Sequence, residues 1–276
     1  MTSVRPLLPA DPPDGADTSR GRGPAGCGSG LLVRLAILAV ITLVSLLALI
    51  GLLGMWRLTG LFQEDDEMVR WVDGSRHGAW LAVFDGYGQT TGSTAGPTVE
   101  PTTGRTADDE VISLAPKSAV GPGATHAALV VSADRYTDVD VTAQLRTVRQ
   151  LRTPGPQPWE VGWVLWHYTD ISHFYAFTLK TNGWEISKQD PAYPGGQRFL
   201  ASGEVPRTTI ATWHTVGITQ AGGRITVAVD GAVIADLTDP ERPYLAGAVG
   251  LYCEDSDVEF RRIHVGTDPP PTRPRS

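Results

Sequence analysis

Between residues 163 and 198 the chain gathers flat rings and polar side chains: Trp163, Trp166, His167, Tyr168, His173, Tyr175, Trp184, Tyr193 and Arg198. A flat ring stacks on the apolar face of a pyranose, and a few donors and acceptors then hold its hydroxyls, so this combination is suited to sugar binding in a shallow cleft. The alternative for each ring is to pack between two sheets. On residues 161–168 the alternation sets Trp163 and His167 on one face and Trp166 and Tyr168 on the other, and only one set faces a cleft. The same segment carries Glu185 three residues before Lys188. A carboxylate beside an ammonium can relay a proton, whereas an exposed pair of this kind is simply solvated. Other chemistries lack their residues. His126, His167, His173, His214 and His264 are scattered, with neither a His-x-x-x-His spacing nor a nearby cysteine to make a zinc site. The glycine-rich stretches lead into strands rather than helix starts, so no P-loop, nucleophile elbow or dinucleotide fingerprint is present.

Short strands position these residues. Residues 138–148 alternate Val139, Val141, Ala143 and Leu145 with polar side chains, the period-two pattern of a strand with one buried face. Residues 161–168 are apolar on both faces, as in a doubly covered strand, and pair with residues 174–180 across a polar turn at 169–172. Asn182-Gly183, Gly222-Gly223 and Asp230-Gly231 supply the φ > 0 geometry of tight hairpins. Val258 and Phe260 followed by Ile263 and Val265 break the alternation and predict a bulge at Arg261-Arg262. Many short strands without intervening helices make an all-β sandwich or barrel.

The remaining segments define a domain order. Residues 1–30 are rich in Pro, Gly, Asp and Arg and read as a disordered cytoplasmic tail. Residues 31–56 contain an uncharged run, 35–56, which at about 1.5 Å per residue is long enough to cross a hydrocarbon core of about 30 Å. We read it as an uncleaved transmembrane helix; a signal peptide would have a shorter leader and a clear cleavage site. Arg5, Arg20, Arg22 and Arg34 precede the span and Arg57 follows it, which places the N-terminus in the cytoplasm and the C-terminal domain outside the cell. Residues 57–79 are a juxtamembrane stem, 80–266 the folded domain, and 267–276, with four prolines, a disordered tail. With 30 acidic against 23 basic residues the net charge is -7, which argues against a nucleic-acid partner. The two cysteines, Cys27 and Cys253, fall on opposite sides of the span and cannot pair within the chain; Cys253 reads as a buried small hydrophobe.

Several stretches in order resemble one family: Gly86-Tyr87-Gly88, residues 125–132 (THAALVVS), 146–152 (RTVRQLR), 158–170 (PWEVGWVLWHYTD), 182–185 (NGWE), 190–195 (DPAYPG) and 242–255 (RPYLAGAVGLYCED). They are similar to bacterial surface jelly-roll domains of the concanavalin A-like lectin/glucanase superfamily, near the 3-keto-disaccharide hydrolase group. The resemblance implies a two-sheet antiparallel jelly-roll sandwich with a sugar-binding face. It places Glu185 on the family's glutamate and Asp190 near its downstream aspartate, with Ser187 at the polar position between them. With Lys188, these are the catalytic candidates, while Trp163, Trp166, His167, Tyr168, Tyr175, Trp184, Tyr193 and Arg198 are the substrate-binding ones. It also implies a structural calcium ion, for which Asp255, Asp257 and Glu259 offer hard oxygen donors; the same residues fit a turn followed by a solvated strand face. The expected function is carbohydrate binding, with a polysaccharide or glycoconjugate as partner. Glycoside cleavage and a partner-binding role without catalysis are the alternatives.

Overall fold

The computed structural model describes residues 46, 68–93, 110–121 and 123–266. The run 35–56, expected to be a transmembrane helix, lies outside the described residues except for Leu46, as do both terminal tails. Sixteen strands follow in order: β1 (Met68–Trp71), β2 (Arg76–His77), β3 (Trp80–Phe84), β4 (Gln89–Ser93), β5 (Ile112–Ala115), β6 (Ala127–Ser132), β7 (Val139–Gln150) and β8 (Gly162–Asp170). Then come β9 (His173–Lys180), β10 (Gly183–Gln189), β11 (Gln197–Gly203), β12 (His214–Ala221), β13 (Arg224–Val229), β14 (Ala232–Thr238), β15 (Ala248–Glu254) and β16 (Ser256–Gly266). They form two antiparallel sheets of eight strands, in the orders β1-β4-β5-β16-β7-β12-β13-β14 and β11-β10-β9-β8-β15-β6-β3-β2. The sandwich therefore begins at Met68, inside the stretch expected to be a stem. Trp71 of β1 is fully buried in its core.

The core follows from alternation. Val139, Val141, Ala143 and Leu145 of β7 point inward, and so do Val216, Ile218, Val258 and Phe260 of the flanking strands. Val164, Trp166, Tyr175, Phe177, Trp184 and Ile186 meet them from the second sheet. Each such aliphatic side chain contributes about 1.5–3 kcal/mol by leaving water. Hairpins form at two of the expected turns, where Ala221 faces Arg224 and Val229 faces Ala232; the third lies one residue earlier than expected, because Lys180 faces Gly183 and the turn is Thr181-Asn182. The β16 register slips between Arg261 and His264, with Arg262 at φ 50°, which is the bulge expected there. Cys253 is buried on the inner face, and burial pushes its thiol well up, so it packs as a small hydrophobe.

One expectation about facing is corrected. β8 is bulged: the register against β15 shifts between Ala248 and Gly250, and His167 adopts φ 49°. The slip turns His167 inward beside Trp166 and sends Tyr168 to the opposite face, with Trp163. Gly247 makes this geometry accessible, because a Cβ there would stand 2.2 Å from the His167 backbone carbon.

Candidate functional site

The second sheet's face away from the first, its open face, carries an apolar cluster whose members are themselves 8% exposed or less, including Leu129, Val131, Trp163, Leu165, Phe174, Ala176 and Tyr252. Antiparallel register aligns one row across it. Glu185 of β10 opposes Thr178 of β9, Thr178 opposes Trp163 of β8, and Trp163 opposes Tyr252 of β15. Directly opposed residues in a sheet project to the same side, so the Trp163 ring stands between a carboxylate and a phenol. A groove of about 540 Å³ follows this row, walled by Trp159, Phe174 and Phe199 and by the polar groups of Lys180, Gln189, Gln197 and Glu254. Phe199 is 60% exposed at its rim, a large ring in contact with water.

The charges are fixed in place. Lys180 Nζ donates to Glu185 Oε2 at 2.5 Å, and both side chains are largely buried. At the other end of the row Tyr252 Oη donates to Glu254 Oε1 at 2.7 Å, and its ring packs edge-on against Trp163, centroids 5.2 Å apart. Burial pushes the Glu254 carboxyl up; the Tyr252 hydrogen bond opposes this and nearby Asp255 reinforces it. Between Glu185 and Trp163 the Thr178 hydroxyl is fully buried without a hydrogen-bond partner among the described residues.

The anticipated site residues separate into two groups. Trp163, Tyr168 and Glu185 share the open face. Trp166, His167, Tyr175, Trp184, Lys188 and Arg198 project between the sheets instead. On β10 the alternation places Lys188 on the side opposite Glu185, so the expected carboxylate–ammonium neighbours are not neighbours; Glu185 is paired with Lys180. Lys188 is fully buried and donates to Asp239 Oδ2 (2.8 Å) and to the carbonyls of Glu241 (2.8 Å) and Arg242 (2.7 Å), with the Tyr244 ring 4.5 Å away. Tyr175 Oη and Arg198 also donate to Asp239. Burial works to raise the Asp239 carboxyl, but hydrogen bonds from Lys188, Tyr175 and the Glu241 N–H outweigh it and the net shift is downward. The His167 ring lies within hydrogen-bond distance of the Tyr244 and Thr137 carbonyls, and burial lowers its basicity. Trp184 Nε1 donates to the Val205 carbonyl at 2.8 Å. Asp190 accepts from the Ala192 N–H and from Arg242, fastening the turn that carries the exposed Tyr193.

Asp255, in the turn before β16, and Asp257 and Glu259 on that strand do not fit a calcium ion. Asp255 is buried against Arg152 and the Ala119 N–H, Asp257 is paired with Arg149 at 2.5 Å, and Glu259 is paired with Arg146. Each carboxylate is already matched to a guanidinium, and among the described residues no group of three or more His, Cys, Asp or Glu side chains is arranged to hold a metal.

Trp159, Phe174, Lys180, Gln189, Gln197, Phe199, Tyr252 and Glu254 were not among the expected site residues. Alternation from Glu185 through Ser187 would have flagged Gln189. Tyr252 and Glu254 carry no local signal, because only the pairing of β15 with β8 brings them to Trp163.

Sandwich and groove together define an all-β domain of two antiparallel sheets. The chain belongs to the 3-keto-alpha-glucoside-1,2-lyase-like domain family, whose model matches residues 68–266. No curated protein sequence matches the chain. Among solved structures, the carbohydrate-binding module CBM66 from Bacillus subtilis is similar with a TM-score of 0.47 and 11% identity, over 70% of this chain and 99% of that one. A carbohydrate esterase from the Shiga toxin-encoding bacteriophage phi24B is similar with a TM-score of 0.41 and 12% identity, over 69% of this chain and 91% of that one. The exoplasmic/lumenal domain of VIP36, in a form bound to Ca2+ and Man3GlcNAc, is similar with a TM-score of 0.40 and 12% identity, over 59% of this chain and 82% of that one.

Proposed function

We propose that this domain binds saccharide chains of a surface polysaccharide or glycoconjugate in the groove on the open face of the second sheet, and that residues 35–56 tether it to the outer side of the membrane. The observation that carries the reading is the row Glu185–Thr178–Trp163–Tyr252, in which one ring is flanked by hydrogen-bonding groups on both sides. A sugar entering the groove meets the exposed rings of Phe199 and Trp159 over the largely buried Trp163, with the Lys180–Glu185 pair, Gln189, Gln197 and Glu254 as polar partners. The row does not resemble a hydrolytic pair. Glu185 and Glu254 sit on strands three steps apart, about 14 Å at about 4.8 Å per step, with Trp163 between those strands, whereas a retaining glycosidase brings its two carboxyls to about 5–5.5 Å.

A second reading, cleavage of a glycoside, has one observation in its favour: the Glu254 carboxyl is pushed up by burial and lines the groove, as a proton donor would. One experiment weighs the two. The full chain in mild detergent is titrated calorimetrically with wall polysaccharides and their oligomers, and incubated separately with a 3-keto-α-glucoside. Saturable binding without product supports the lectin-like reading. Product release that Glu254→Gln abolishes moves the assignment to an enzyme, and silence in both arms sinks both readings. The tether is checked by protease shaving of intact cells, which is expected to remove the domain from the outside; protection until lysis would reverse the orientation.

A further inference from the structure

The groove does not end at its aromatic wall. The Trp159 ring, 41% exposed, also lines a second basin of about 530 Å³ whose other sides include Thr125, Arg152, Thr153 and Gln157. Either basin alone falls in the ~300–1,000 Å³ range of small-ligand sites, and the two share this one indole.

The ring is held in position from below. The Trp159 carbonyl accepts from Trp163 Nε1 at 2.8 Å and from the Val161 N–H at 2.8 Å, so it is fastened to the groove floor. The next residue, Glu160, is 1% exposed; it binds the Arg152 guanidinium with one oxygen and the Gln157 N–H with the other, at 2.9 Å. Arg152 also donates to Asp255 (2.7 Å) and to the carbonyls of Gly121 (3.1 Å) and Ala124 (3.0 Å). A buried ion cluster of this kind adds little net stability, because desolvation offsets its attraction. It does fix the backbone carrying Trp159 relative to the wall of the second basin, so that a stacking ligand has only the indole side chain left to order. The second basin offers hydroxyls and an amide, and its one guanidinium is already engaged by carboxylates and carbonyls. That lining suits a neutral hydroxylated chain rather than an ionic ligand.

We infer that the binding site is continuous across Trp159 and takes an extended oligosaccharide or polysaccharide strand, with one sugar stacked on Trp159 and its neighbours in the basins on either side. This rests on the saccharide reading above. The test is calorimetry of the full chain with α- and β-glucan ladders from disaccharide to hexasaccharide, for wild type, Trp159→Ala and Trp159→Phe. Wild type is expected to bind the hexasaccharide at least about tenfold more tightly than the disaccharide, a gain of about 1.4 kcal/mol. Trp159→Ala brings that ratio to near one, and Trp159→Phe, which keeps a ring, restores most of it. Disaccharide binding with no dependence on length overturns the continuous site and leaves the groove standing. An unchanged ratio in Trp159→Ala overturns it too. If no ladder binds at all, the saccharide reading itself fails and this inference with it.

Discussion

Lys188→Met lowers the unfolding midpoint by roughly 10 °C or more, while Lys180→Met lowers it by only a few degrees. Both lysines come from the same hairpin and both make an ion pair, but their surroundings differ. Lys188 and Asp239 have fully buried side chains, and all three ammonium protons are used, one by the carboxylate and two by the carbonyls of Glu241 and Arg242. Methionine fills the space without supplying any donor, which leaves a buried carboxylate and two carbonyls short of a partner. Removing one member of a buried pair costs about 3–5 kcal/mol, and in a domain of this size each kcal/mol shifts the midpoint by about 2–4 °C. The Lys180–Glu185 pair is largely buried too, but it lines the groove, so water reaches the carboxylate left behind and the expected cost is smaller, about 1–2 kcal/mol. Differential scanning calorimetry at neutral pH distinguishes the two; equal shifts would mean that Lys188 is not the clamp for residues 239–242.

The same cluster sets a pH dependence. The folded Asp239 carboxyl lies below its unfolded value of about 3.9, so its contribution is fully present above about pH 4 and is lost as the pH falls through the folded value. The stability gap between wild type and Asp239→Asn is therefore expected to narrow on acidification. His167 acts earlier: burial depresses its folded basicity below the unfolded value of about 6.5, so the unfolded state takes up the proton first and stability declines as the pH drops below about 6.5.

Much of the sandwich is legible in the chain because a strand with one wet face writes its fold in period two, and β7 does so from Val139 to Thr147. The Gly222-Gly223 and Asp230-Gly231 turns are equally direct, since few residues other than Gly, Asn and Asp accept φ > 0. The site is less legible, for two physical reasons. The β8 bulge at His167 reverses which residues share a face with Trp163, and nothing in residues 161–168 marks it; its other half is Gly247, eighty residues downstream in the chain. The remaining groove residues come from β11, β15 and the loop before β8, so their convergence depends on strand order and not on spacing. Glu185 was recognisable from its motif, but its partner was not. Lys188 is close in sequence and on the wrong side of the strand, whereas Lys180 reaches it across the hairpin.

Trp163→Ala should weaken saccharide binding about 100-fold, the largest effect of any substitution in the groove, and Trp163→Phe only a few-fold. Trp163 occupies the middle of the row and is 6% exposed; its Nε1 is satisfied by the Trp159 carbonyl and Tyr252 props one edge, so it forms a fixed floor under the groove. Alanine removes the stacking surface and also frees the two rings beside it, and about 2.7 kcal/mol for the combined loss corresponds to that 100-fold. It also opens a cavity in the open-face cluster, at a cost in stability of about 3 kcal/mol or more, so binding must be measured below the lowered midpoint with the folded fraction checked by near-ultraviolet circular dichroism. Phe199→Ala is the control for that complication: its ring is mostly in water, its loss leaves the core intact, and only about a tenfold weakening is expected from the rim. If the phenylalanine variant at 163 binds no better than the alanine one while remaining folded, the ring is acting through its indole N–H and not as a platform. If both Trp163→Ala and Phe199→Ala bind as wild type does, the saccharide lies elsewhere on the domain, and the polar outer face of the first sheet becomes the surface to probe.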